Sequence, residues 1–140
     1  MTSDDTAPAM AFGWAILHVR DVARTIEFYE RAFGLKRRFV DPAGEYAELA
    51  TGTTTLAFAA HALIARLTDE PAVPDGAAPR GLDIALSTSP ERIEAAWTRA
   101  VGAGAVPVKP LTTMPWGQVV GFVRDLDGFL VEICTPAHPA

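Results

Sequence analysis

The sequence predicts an α+β domain made of two tandem βαβββ modules, whose strands form a curved, cup-like mixed sheet with the helices outside. Three observations predict it. The order strand, helix, strand, strand, strand occurs twice along the chain. Asp21 opens the first helix and Pro90 the second, a period near 69 residues. Between the halves, residues 69–80 (DEPAVPDGAAPR) hold three prolines, one glycine and no hydrophobic period. The expected organisation is a leader over 1–11 and a single domain over 12–140. Within that domain, module one spans 12–66, a linker 67–80 and module two 81–136.

Residues 14–20 (WAILHVR) are apolar and β-prone, which predicts the first strand. Asp21 is a good helix N-cap. Ile26, Tyr29, Glu30 and Phe33 then fall on one helical face with Phe28 beside them, and Gly34 closes the helix. Strands follow over 35–40, 45–50 and 53–60, separated by the turns Asp41-Pro42-Ala43-Gly44 and Thr51-Gly52. In the second half, 82–88 is a strand. Ser89-Pro90-Glu91 starts a helix with a capping hydroxyl, a first-turn proline and an acid at the positive end. Ile93, Ala96, Trp97 and Ala100 repeat the helical face, and Gly102 and Gly104 end it. Strands over 106–111, 118–124 and 129–135 complete the repeat, the last two joined by the turn Asp125-Leu126-Asp127-Gly128.

Hydrophobic residues make up 49%, which excludes a disordered chain. No apolar run approaches the ~20 residues of a membrane span. A formal charge of −5 lacks the basic footprint of a nucleic-acid binder. The single cysteine, Cys134, excludes an internal disulfide and a cysteine-rich metal site. The first residues lack the basic start and apolar core of a signal peptide. They read as a disordered leader, and a cytoplasmic location is the default expectation.

Two local motifs add to the repeat. His18-Val19-Arg20-Asp21-Val22-Ala23-Arg24-Thr25-Ile26-Glu27-Phe28-Tyr29, followed by Phe33-Gly34-Leu35, resembles the first strand and helix of the vicinal-oxygen-chelate superfamily, the group of glyoxalase I, extradiol dioxygenases and bleomycin-resistance proteins. Asp125-Leu126-Asp127-Gly128, with Glu132 four residues later, resembles its last hairpin. The resemblance covers residues 12–136 and implies a ligand inside a cup of strands. In metal-dependent members it implies four ligand positions on four strands. The first lies seven residues before the capping Asp21, at Trp14, and its counterpart before Pro90 is Asp83. The third is Leu56 or Ala57, with the register open by one residue, and the fourth is Glu132. Trp14, Leu56 and Ala57 cannot hold a hard divalent ion. His18 shares the parity of Trp14 but sits about 13 Å along the strand from it.

The Pro115-Trp116-Gly117 segment, eight residues before Asp125, is similar to that of bleomycin-resistance proteins, which resemblance implies bind a planar cationic drug without a metal. The expectation is therefore a metal-independent protein that binds and sequesters an antibiotic or other planar natural product and so confers resistance. Trp14 and Trp116 would stack on the ligand, and His18, Asp83 and Glu132 would supply polar contacts. The resemblance also implies a homodimer, and no cofactor. The alternative is an enzyme: a glyoxalase-like lyase or dioxygenase with a divalent metal ion on a rearranged His18, Asp83 and Glu132 site, or a metal-free acid–base enzyme using Glu132 or His18.

Plainer readings stand beside these. They place Trp14 in the core or a dimer interface, Trp116 at a subunit contact, Asp83 in water and Glu132 in a hydrogen bond within the cup. Trp97 reads as core packing. Nothing near Cys134 suggests a thiolate nucleophile.

Overall fold

A computed structural model describes residues 9–10, 12–78 and 81–136. The leader expected over 1–11 lies outside the described residues except for Ala9 and Met10, as do Pro79 and Arg80 of the linker. In module one, β1 (Trp14–Val19) leads to α1 (Val22–Phe33), then β2 (Lys36–Val40), β3 (Tyr46–Ala50) and β4 (Thr55–Ala60). An additional helix, α2 (His61–Thr68), follows. In module two, β5 (Asp83–Ser87) leads to α3 (Ile93–Gly102), then β6 (Val106–Thr113), β7 (Val119–Arg124) and β8 (Leu130–Cys134).

The α+β class and the doubled strand order are as the sequence predicts. The eight strands make two mixed, open sheets of four, ordered β1-β4-β3-β2 and β5-β8-β7-β6. In each, the first and last strands of the module pair in parallel and the rest are antiparallel. Parallel pairing needs a long crossover, and the helix and two intervening strands supply it.

Strand alternation decides what each sheet buries. Leu17 and Val19, Ala47 and Leu49, and Leu56 and Phe58 turn to the side of α1 and are buried there. Ile26, Phe28, Tyr29 and Ala32 meet them from the helix. The cap residues act as their types predict: the Asp21 carboxylate accepts from the Arg24 N–H, and Gly34 adopts the left-handed conformation at φ 71°.

The helix of module two starts later than the sequence suggests. Ser89 begins a hydrogen-bonded turn in which the Arg92 N–H donates to its carbonyl, and α3 opens only at Ile93 with no side-chain cap. The capping signal at 89–91 is spent on that turn. Helix α2 is not predicted by the sequence pattern. At eight residues it is too short for Leu63, Ile64 and Leu67 to establish a helical period, and none of its residues is fully buried.

The two modules meet through their helices and through the β7–β8 hairpin. The Tyr29 hydroxyl on α1 donates to Asp125 Oδ2 at 2.6 Å. Thr25 Oγ1 donates to Asp127 Oδ2 at 3.0 Å, and the Arg20 N–H donates to Asp127 Oδ1. From α3, Arg99 donates to the carbonyls of Arg31 and Glu30 at the end of α1, where a cation suits the helix dipole.

Trp97 packs against the core as expected, over Gly121 of β7. A Cβ at Gly121 would stand 2.7 Å from the indole and 3.0 Å from Leu111. Gly121→Ala should therefore cost about 1–3 kcal/mol of stability by overpacking. An unchanged urea midpoint would show that Trp97 gives way freely.

Candidate functional site

The face of each sheet that does not meet α1 or α3 is left open. Register orders it into rows. On the first sheet Trp14 lies beside Thr55, Ile16 runs across through Ala57 and Glu48 to Phe39, and His18 runs through Ala59 to Tyr46. On the second, Asp83 lies beside Leu130 and Arg124, Ala85 beside Glu132 and Phe122, and Ser87 beside Cys134 and Val120. The two modules match rung for rung. Ala57 follows the Trp14 rung as Glu132 follows the Asp83 rung. Register thus decides between the two residues left open by the sequence: Ala57 is on the open face, and Leu56 is in the core.

Trp14 is 54% exposed, yet it is not loose. Its indole Nε1 donates to Glu48 Oε2 at 3.0 Å. The same oxygen accepts from the Tyr46 hydroxyl at 2.7 Å, and Arg38 pairs with Glu48 Oε1 at 3.3 Å. The Tyr46 hydroxyl, more than the two other partners, holds the Glu48 carboxyl below its ordinary range, so Glu48 is ionised at neutral pH. Burial and then Glu48 push the Tyr46 hydroxyl up to about 12. Phe39 packs against Tyr46 at 6.3 Å between ring centres. The result is an aromatic face of Trp14, Phe39 and Tyr46 around one engaged carboxylate. Sequence reasoning missed Arg38, Tyr46 and Glu48; the parity of β3 puts Tyr46 and Glu48 on one face, but only the register brings Glu48 to Trp14.

Asp83 and Glu132 share a face of the second sheet, on neighbouring strands and adjacent rungs. Glu132 lies beside the buried Cys134 thiol, which burial and that carboxylate push up to about 11, leaving it protonated at neutral pH. Trp116 sits in the turn before β7, 65% exposed, with its Nε1 donating to Gln118 Oε1 at 2.9 Å. Gln118 in turn donates to the Thr135 carbonyl, so this indole too is tied to the frame.

His18 is on the first sheet and Asp83 and Glu132 are on the second. Among the described residues, no three of His, Cys, Asp and Glu come close enough to hold a metal ion. At the family's four positions the chain offers an indole, a methyl group and two carboxylates, and that donor set does not fit a divalent ion. Among the described residues, no helix is long and apolar enough to cross a membrane.

A family model described as the glyoxalase/bleomycin resistance protein/dioxygenase superfamily matches residues 11–133. A comparison with curated proteins finds no match. Among solved structures, a glyoxalase-related enzyme from Fulvimarina pelagi is 22% identical, over 91% of this chain and 88% of that one, with a TM-score of 0.79. A glyoxalase/bleomycin resistance protein/dioxygenase from Nocardioides is 22% identical, over 95% and 87% of the two chains, with a TM-score of 0.74. TioX from Micromonospora sp. ML1 is 26% identical, over 90% and 98%, with a TM-score of 0.67.

Proposed function

This chain belongs to the glyoxalase/bleomycin resistance protein/dioxygenase superfamily, and from that premise we propose that it is a metal-independent protein that binds and sequesters a planar aromatic small molecule, such as an antibiotic. The observation that carries this reading is Trp14. An indole stands on the open sheet face where a metal ligand would be, half exposed and fixed by Glu48. A rigid, oriented aromatic ring is a stacking surface, and a pre-positioned ring loses little entropy on binding. Glu48, paired with Arg38, fixes the indole, and the carboxylates that would suit a cationic ring system are Asp83 and Glu132 on the matching sheet.

A second copy of the chain completes the site in this reading. Phe12, Trp14, Ile16 and Phe39 are all exposed, and a patch of that kind marks an interaction surface. The matching open face of the second sheet, carrying Asp83 and Glu132, would close over them from the partner, with Trp116 at its rim. The protein should run at twice the monomer mass in light scattering.

Metal independence has its own test. Protein purified without chelator should hold no stoichiometric metal, and its affinity for 9-aminoacridine, a planar aromatic cation, should be the same with and without EDTA. A bound equivalent of Fe, Mn, Ni or Zn, or binding abolished by EDTA, would replace this reading with a metal-dependent lyase or dioxygenase.

A further inference from the structure

The parallel strands β1 and β4 end side by side. His18 faces Ala59, and His61 follows two residues later as the first residue of α2. The linker then returns across these ends to module two. A cavity of about 510 Å³ opens between them, within the size range of small-molecule sites. Ile16, Val73, Leu82 and Phe129 are among its apolar walls. Its polar lining is His18, His61, Arg20 and Asp127.

These polar groups differ in what they have left to give. Asp127 is engaged, since its two oxygens accept from the Arg20 N–H and from Thr25 Oγ1. The Arg20 guanidinium has no carboxylate partner among the described residues. His61 Nδ1 is buried without a hydrogen-bond partner. Burial, with His61 nearby, holds the His18 imidazole below its ordinary range, so it is neutral at physiological pH and offers one donor and one acceptor.

An uncommitted guanidinium at an apolar cavity is an anion receptor. We propose that this cavity is a second ligand site, taking a small organic acid with an aromatic or branched aliphatic body. The acid group would sit on Arg20, the body against Val73, Leu82 and Phe129, and a hydrogen-bonding atom on the two imidazoles. Trp14 does not line this cavity, although Ile16, which does, also borders the aromatic face.

The test uses the full chain and two probes with the same ring system: 8-anilinonaphthalene-1-sulfonate, an anion, and N-phenyl-1-naphthylamine, which has no charge. The sulfonate should bind more tightly than the amine and should shift the imidazole C2–H resonances of His18 and His61, assigned with His18→Gln and His61→Gln. Arg20→Met should weaken the sulfonate roughly 10- to 100-fold and leave the amine unchanged. The backbone N–H that reaches Asp127 survives that substitution, so the fold is kept. Trp14→Ala should alter neither probe. Equal affinity for the two probes, an Arg20→Met protein that binds the sulfonate as before, silent histidine resonances, or loss of the sulfonate in Trp14→Ala would each overturn the proposal. Failure of the Trp14 face to bind planar cations would leave it standing.

Discussion

Tyr29→Phe should lose about 1–3 kcal/mol of unfolding free energy at pH 7, and clearly less at pH 4. Tyr29 is fully buried and Asp125 is 5% exposed. Their 2.6 Å hydrogen bond ties α1 to the β7–β8 hairpin, 96 residues apart in sequence. Removing the hydroxyl leaves Asp125 Oδ2 buried without its donor, while Oδ1 keeps the N–H groups of Asp127 and Phe129. The pH dependence follows from Asp125. Burial raises its pKa above the ordinary value, and the Tyr29 hydrogen bond is the largest effect holding it down. A carboxyl whose folded pKa is raised contributes fully below the unfolded value, near 3.8, and less as pH climbs through the folded one. Phenylalanine raises that pKa further, so the extra loss accrues above pH 4. Urea denaturation at both pH values measures it. Asp125→Asn should flatten the difference, and a loss as large at pH 4 as at pH 7 would show that the carboxylate's charge is not what Tyr29 compensates.

Trp14→Ala should weaken binding of 9-aminoacridine by about 30-fold or more, since a central stacking indole is worth roughly 2 kcal/mol or more when truncated. Stability should change little in the same variant, because the ring is half exposed and its one polar bond is to Glu48. The separation of the two effects is what identifies a binding residue. A core tryptophan such as Trp97 would lose both together.

The parts of this molecule legible in the sequence are those set by local rules. Asp21 and Gly34 bound α1 because a cap and a left-handed terminus are properties of single residues. Gly128 turns at φ 87° between β7 and β8 for the same reason. The start of α3 departs from the sequence pattern because a serine, a proline and a glutamate serve a turn as well as a cap. The polar cluster under Trp14 was illegible for a different reason. Glu48 is 34 residues from Trp14 in sequence and meets it only through the pairing of β1 with β4 and β4 with β3. The same holds for His18 and His61.

The two motifs that carry the family resemblance also changed meaning. Thr25 and Tyr29 of the first contact Asp127 and Asp125 of the second. Together these contacts lock one module to the other, and the four residues that make them contribute no group to the Trp14 face. They identify the fold because they hold it.

The central claim is that ligand lies on the Trp14 face, and the indole N–H resonances test it most directly. The chain has three tryptophans, each assignable by substitution. Titration with 9-aminoacridine should move the Trp14 resonance most, saturably and at the calorimetric affinity, should move Trp116 less, and should leave Trp97, packed between α3 and the second sheet, in place. Saturable binding with the Trp14 resonance unmoved would contradict the account.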